Sequence, residues 1–149
     1  LKRVDGEPAG VVDNAAGALA RVQAAHPTAF PAADFVSTVM PVLPLQLDSN
    51  ENTPVYKVIL GALNAKDAGV TAQLGKLMAV FAHDIHEERF TDDETPEALA
   101  QVLRALTSAH EAEVVGVLGQ LPAEQRATLT AVIQGHSAAT SPVKAGAGR

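Results

Sequence analysis

The chain has 149 residues, which suits a single domain, and 47% of them are hydrophobic although only 3% are aromatic. Its core must therefore be built from Ala, Val and Leu, which favours packed helices over an aromatic-rich β-sandwich. The absence of Cys excludes disulfides, thiolate metal sites and cysteine nucleophiles, and a net charge of −6 disfavours nucleic-acid binding.

The sequence also argues against membrane insertion. No apolar run reaches the roughly 18 residues that a membrane-spanning helix needs. The amino terminus has neither an initiator Met nor the apolar region of a signal peptide. We therefore expect a piece of a longer chain, with no membrane partner.

The first two predicted helices flank a Pro-rich connection. The first helix opens at Pro8 and stops before His26, with apolar residues spaced three or four apart: Val12, Ala15, Leu19 and Val22. The second is capped by Asp34 and has a stripe made of Val36, Val39, Met40 and Leu43. Pro44 ends this helix because it lacks a backbone N–H and disfavours helical geometry in the residue before it.

A polar turn over residues 48–52 then leads into a third helix. Side chains of this kind compete with the backbone for hydrogen bonds and suit turns and N-caps. Thr53 is predicted to cap the helix and Pro54 to occupy its first position, with the helix ending near Ala65. The second and third helices form a hairpin that is too short to bury its own apolar faces and needs neighbours.

The clearest helical stripe follows a predicted cap at Asp67, and it consists of Val70, Leu74, Leu77, Met78, Phe81 and Ile85. Thr95 and Pro96 repeat the cap-then-proline start for a helix with the stripe Leu99, Val102, Leu103 and Leu106. Two shorter helices follow, the first ended by Pro122 and the second, starting at Ala123, ended by Gly135.

The pattern therefore predicts about seven helices and no strand. Helix starts recur every ~40–47 residues, the period of HEAT and armadillo arrays, although a compact helical bundle fits the same pattern. Residues 1–136 are expected to form the helical array. Residues 137–149, rich in Ala, Ser, Pro and Gly, are expected to be a disordered tail.

Charge is concentrated in residues 84–97, which contain one basic residue, Arg89, and seven acidic ones: Asp84, Glu87, Glu88, Asp92, Asp93, Glu94 and Glu97. This segment accounts for the whole net charge of the chain. Such a concentration attracts basic partners. The alternative is a solvated connection between two helices.

One stretch invites a metal-site interpretation. His83 and His86 are three residues apart and face one side of a helix, and Glu87 is one turn beyond His83. Zinc needs three or four converging ligands, and no further ligand follows at a recognised spacing. His residues near a helix C-terminus are also favoured by the helix dipole. We predict no catalytic residue, cofactor or metal site, and keep a small helical metalloenzyme using His83 and His86 as an alternative.

Three stretches carry a family resemblance. Residues 13–21 read Asp-Asn-Ala-Ala-Gly-Ala-Leu-Ala-Arg, residues 43–45 read Leu-Pro-Leu and are followed by Asp48 and Glu51, and residues 121–129 begin Leu-Pro-Ala-Glu-Gln-Arg. These resemble, in order, an inner helix, an inter-helix signature and the short closing helix of the C-terminal HEAT repeats of importin-β (karyopherin-β) nuclear import receptors. The sequence departs from that signature at Gln46 and Leu47.

The resemblance implies an all-α HEAT-repeat α-solenoid of about three helix pairs plus a closing helix. It implies a non-catalytic segment of a receptor that shuttles between cytoplasm and nucleus and binds basic cargo resembling ribosomal proteins or histones. The small GTPase Ran and nucleoporins would be bound by repeats that this chain lacks. The acidic residues that could contact cargo are Asp48, Glu51, Asp92, Asp93 and Glu94. A HEAT-repeat adaptor unrelated to transport is the other alternative.

Overall fold

The computed structural model of the chain describes residues 1–2 and 9–135. These residues contain eight α-helices and no strand, which confirms the predicted all-α class. The helices are α1 (Ala9–Ala25), α2 (Ala32–Val39), α3 (Asn52–Asn64), α4 (Ala68–Thr71), α5 (Leu74–His86), α6 (Glu94–Ala109), α7 (Glu111–Gln120) and α8 (Ala123–Ile133). The predicted helix start at Pro8 and the predicted tail over residues 137–149 lie outside the described residues.

Helices α1, α3 and α6 lie side by side, because α3 packs against α1 on one side and against α6 on the other. Helix α2 contacts α1, α3 and α4, while α8 packs on α5 and α6 and also contacts α7. The packed series α1, α3, α6 and α8 follows sequence order, as expected for an α-solenoid, while α5 is covered mainly by α7 and α8. No helix among the described residues is long and apolar enough to cross a membrane.

The core is centred on α3 and α5. The six residues of the clearest predicted stripe are all buried: Val70, Leu74, Leu77, Met78, Phe81 and Ile85. The prediction of one continuous helix is wrong, since α4 ends at Thr71 and α5 begins at Leu74. At this break the Gln73 side-chain amide donates a hydrogen bond to the Ser37 hydroxyl of α2, at 3.0 Å.

The buried face of α1 differs from the prediction. Val12 is buried as expected, but Val22 is 48% exposed, and the other buried residues of α1 are Asp13, Ala16, Gly17, Ala20 and Gln23. The buried face of α1 is therefore rotated about the helix axis relative to the face predicted from its larger apolar residues. Small side chains face the neighbouring helices, and the buried Asp13 has hydrogen-bond partners described below.

Of the two Asp residues predicted to cap helices in the first half of the chain, one does so and the other does not. Asp67 caps α4 as predicted, because its carboxylate accepts a hydrogen bond from the Val70 N–H at 3.0 Å. The predicted cap at Asp34 is wrong, since α2 begins two residues earlier, at Ala32, directly after Pro31. Helix α2 also ends at Val39, and a 3₁₀ turn (Met40–Val42) continues the chain toward Pro44.

The two predicted Thr caps are also wrong, and acidic side chains explain both cases. A 3₁₀ turn (Ser49–Glu51) leads directly into α3 at Asn52, and the Asp48 carboxylate caps that turn by accepting from the Asn50 N–H at 3.1 Å. At the start of α6, the Asp92 carboxylate accepts from the Thr95 N–H at 2.7 Å. The predicted stripe of α6 is confirmed, with all four of its residues buried.

Candidate functional site

The connection over residues 43–48, here called the proline loop, is held from two sides. The Asp13 carboxylate on α1 accepts hydrogen bonds from three backbone N–H groups of the loop: Gln46 at 2.9 Å, Leu47 at 2.7 Å and Asp48 at 3.1 Å. The Arg89 guanidinium donates to the Leu45 carbonyl at 3.0 Å. Charged donors and acceptors make stronger hydrogen bonds than neutral ones. The Asp13 carboxylate and the Arg89 guanidinium therefore hold the loop in place from two sides.

Glu51 follows the proline loop and faces α1. Its carboxylate forms an ion pair with Arg21, with 3.0 Å between Nη2 and Oε2. The carboxylate also lies directly against Gly17, where an added Cβ would stand only 1.4 Å from Glu51 Oε2. Gly17 therefore provides the space into which the Glu51 side chain fits, and this contact joins α1 to the start of α3.

Asp92 joins the start of α3 to the start of α6. The Thr53 hydroxyl of α3 donates to one Asp92 oxygen, and the same carboxylate accepts from the N–H and the hydroxyl of Thr95. The Thr53 hydrogen bond is the largest cause that lowers the Asp92 pKa below its ordinary value, because it stabilises the ionised form. Asp92 is consequently a structural carboxylate as well as a candidate surface charge.

The five candidate acidic residues thus lie in two segments that the Thr53–Asp92 hydrogen bond brings together. Three of the five carboxylates bind groups within the chain: Asp48, Glu51 and Asp92. Asp93 and Glu94 are exposed where α6 begins. The two exposed residues are therefore the ones best placed to contact another molecule.

Asp84, in the same acidic segment, is not accessible to another molecule. It is fully buried, the Tyr56 hydroxyl donates to its Oδ2 at 2.8 Å, and His83 Nδ1 lies 3.0 Å from its Oδ1. Burial raises the pKa of Asp84 and also raises that of Tyr56, because each charged form loses its hydration. Asp84 therefore does not contribute to an acidic surface, although it is one of the seven acids of residues 84–97.

Sequence reasoning did not identify this buried network. Tyr56 is fully buried and packs against Phe81 and Phe90, with ring centroids 5.4 and 5.1 Å away respectively. No local pattern indicates this pair, because Tyr56 and Asp84 are 28 positions apart and lie on different helices. A buried phenol normally has a hydrogen-bond partner, and a nearby acid is a natural one.

The two His residues of the metal-site alternative bind different partners. His83 contacts Asp84, while His86 on α5 lies 3.2 Å from the Thr128 hydroxyl and 3.6 Å from a Glu124 carboxylate oxygen, both on α8. Within residues 1–2 and 9–135, no three His, Cys, Asp or Glu side chains form a group that could hold a metal ion. His86 instead links α5 to α8.

The chain is similar to a protein of known name. The chain is 31% identical over 93 residues to the probable importin subunit beta-4 of Schizosaccharomyces pombe. The alignment covers 61% of this chain and 9% of that protein, so the chain spans less than a tenth of its relative's length. No protein-family model matches the chain. No solved structure gives a significant match.

The fold and this similarity agree with each other. The described residues form packed helices without a strand, and the relative bears the name of an importin. The fold class is an all-α, HEAT-like α-solenoid. The chain is similar to an importin β-type protein over more than half of its own length.

Proposed function

We propose that this chain is a non-catalytic segment of a nuclear transport receptor that binds basic protein cargo. The observation that carries the proposal is the 31% identity over 93 residues to a protein named as a probable importin subunit. The stacked helices support it, since arrays of this kind offer extended surfaces for protein partners. Cargo resembling ribosomal proteins or histones would be attracted by the acidic balance of the chain.

The proposed cargo contacts are the acidic residues at the starts of α3 and α6. Asp93 and Glu94 are exposed and would contact the basic segment directly. Asp48, Glu51 and Asp92 bind groups within the chain, and their negative charge would add to the local potential. Contacts of this type steer association and weaken as salt is added.

The test is fluorescence anisotropy with a labelled histone-tail peptide over a series of salt concentrations. The variant is Asp93→Asn with Glu94→Gln, and the matched control is Glu111→Gln with Glu113→Gln. The control removes the same two charges from exposed positions in the first turn of α7. We expect salt-sensitive binding that weakens several-fold in the variant and stays unchanged in the control. Equal binding by wild type and variant would remove these two residues from the cargo site.

Ran and nucleoporins would bind repeats other than those in this chain, and the complete receptor would shuttle between cytoplasm and nucleus. This part of the proposal rests on the alignment, which covers only 9% of the relative. We expect the isolated chain to bind the basic peptide without retaining Ran-GTP on an affinity resin. Retention of Ran-GTP by the chain alone would contradict this division of roles.

A further inference from the structure

An exposed hydroxyl lies directly before the acids at the start of α6. Thr91 is exposed in the loop between α5 and α6, and three acids follow it immediately, at residues 92–94. The Thr91 hydroxyl makes no hydrogen bond within the described part of the chain, whereas the Thr95 hydroxyl binds the Asp92 carboxylate. The oxygen of Thr91 is therefore accessible to another protein.

The residues on both sides of Thr91 are fixed to the rest of the fold. Phe90 is partly buried and packs against the hydrophobic core. The Asp92 carboxylate accepts hydrogen bonds at the starts of α3 and α6. Asp93 and Glu94, two and three positions after Thr91, are exposed as Thr91 is. An enzyme can therefore contact the hydroxyl and these two acids while Phe90 and Asp92 keep their contacts.

A hydroxyl followed by several acids is the substrate pattern of an acid-directed protein kinase. Such a kinase has basic side chains beside its catalytic cleft, and these pair with carboxylates next to the residue that is phosphorylated. Ser108 offers a comparison within the chain, because one acid, Glu111, lies three positions after it. The Ser108 hydroxyl, however, donates to the Arg104 carbonyl at 3.1 Å inside α6. Thr91 differs from Ser108 in having three following acids and a position in a loop.

We propose that Thr91 is a phosphorylation site for an acid-directed serine/threonine kinase. The Thr91 Oγ1 atom attacks the γ-phosphorus of ATP, the bond from that phosphorus to the bridging oxygen breaks, ADP leaves, and the hydroxyl proton passes to the catalytic base of the kinase. The phosphate adds about −1.5 to −2 charges at pH 7. It lies beside Asp93 and Glu94, so phosphorylation strengthens the attraction of basic cargo, a consequence that rests on the proposed function.

The first test incubates the folded chain with casein kinase II and ATP, and locates the phosphate by mass spectrometry of peptides. We expect phosphate on residue 91 in wild type and in Thr91→Ser, and none in Thr91→Val. Asp93→Asn with Glu94→Gln should slow the transfer several-fold, because both acids pair with basic side chains of the kinase. The matched control, Glu111→Gln with Glu113→Gln, removes two acids from the first turn of α7 and should leave the rate unchanged.

Three results of this test would overturn the proposal. The first is the absence of phosphate from Thr91, whether or not another residue is modified. The second is an unchanged rate of transfer in the variant with Asp93→Asn and Glu94→Gln. The third is transfer that occurs only after the chain has been denatured by heat, which would mean that the folded loop does not present the hydroxyl. Circular dichroism of each variant verifies that it is folded.

The second test compares the phosphorylated and unmodified chains in the anisotropy titration with the labelled histone-tail peptide. We expect phosphorylation to tighten binding several-fold at low salt and by a smaller factor as salt is added, because salt screens the added charge. Equal affinities of the two forms would overturn the effect on cargo. Binding by neither form would contradict the cargo proposal, whereas the first test decides independently whether Thr91 is a phosphorylation site.

Discussion

Asp13 shows how one buried side chain can determine the position of a loop. Its carboxylate accepts three hydrogen bonds from the backbone of the proline loop and is itself fully buried. Such groups remain in a folded interior because the hydrogen bonds compensate for lost hydration. The three bonds join α1 to a segment more than thirty positions further along the chain.

Asp13→Ala should lower the free energy of unfolding by roughly 2–4 kcal/mol, because backbone N–H groups of the loop lose their partner. The control is Asn14→Ala, at the exposed neighbouring position, which should change stability by no more than about 0.5 kcal/mol. Urea denaturation followed by circular dichroism measures both. Similar losses in the two variants would mean that the loop does not depend on the Asp13 carboxylate.

Asp84 should give the protein a characteristic dependence on pH. Burial raises its pKa above the ordinary value of 3.8, although hydrogen bonds from Tyr56 and His83 lower it. Because the folded state holds the proton more tightly than the unfolded state, ionised Asp84 costs stability at neutral pH, and this cost disappears as the pH falls toward 3.8.

The stability of wild type relative to Asp84→Asn should therefore increase on acidification from neutral pH toward 3.8. Denaturation of both proteins at a series of pH values gives this difference, and titration of the other carboxylates cancels in it. A difference that stays constant, or that decreases on acidification, would show that Asp84 is not stabilised in its neutral form.

At the scale of helices, the sequence predicted where apolar stripes lie more accurately than where helices begin. The stripe ending in Phe81 and Ile85 and the stripe of α6 were predictable because many large residues share one face. The stripe of α1 was not, because burial there depends on Asp13 and on the contact between Gly17 and Glu51. Both involve residues more than thirty positions away, which periodicity within one helix cannot detect.

The predictions of N-caps at Thr53 and Thr95 were wrong for a related reason. Thr53 and Thr95 each precede a Pro, which is a good local signal for a cap, yet one carboxylate, Asp92, binds both hydroxyls. The position of Asp92 relative to Thr53 depends on how α3 packs against α6. The same packing explains why Asp93 and Glu94 differ from Asp92 in exposure, which the run of acids in the sequence did not reveal.

Asp92→Ala should destabilise the protein by about 1 kcal/mol, the usual cost of losing a helix cap. Asp93→Ala is the control, because the Asp93 side chain makes no cap hydrogen bond at the start of α6. The pKa of Asp92 is lowered in the folded state from its ordinary value of 3.8. The stabilisation by ionised Asp92 is therefore present at pH values above 3.8 and is lost as the pH falls through the lower pKa of the folded state. Thermal unfolding near neutral pH and again below 3.8 would reveal this loss, and equal effects of the two substitutions would contradict it.

At the scale of the whole molecule, the core is distributed unevenly along the array. Helices α3 and α5 bury eight residues each, whereas α7 and α8 bury one each, Val114 and Leu129. In a stacked array each helix depends mainly on its neighbours, so regions with few buried residues can open while the rest stays folded. Helices α7 and α8 should therefore form the least stable part of the described fold.

Leu129→Ala should destabilise α7 and α8 selectively. Removing a fully buried Leu costs about 2–5 kcal/mol, and the cost should fall on α7 and α8, because Leu129 is the single fully buried residue of α8. Hydrogen exchange followed by mass spectrometry should show faster exchange in these two helices, with α3 unchanged. Leu74→Ala, at an equally buried position in α5, is the control and should speed exchange in α3 and α5 as well. If Leu129→Ala also accelerates exchange in α3, the described helices unfold as one cooperative unit and the array has no weaker end.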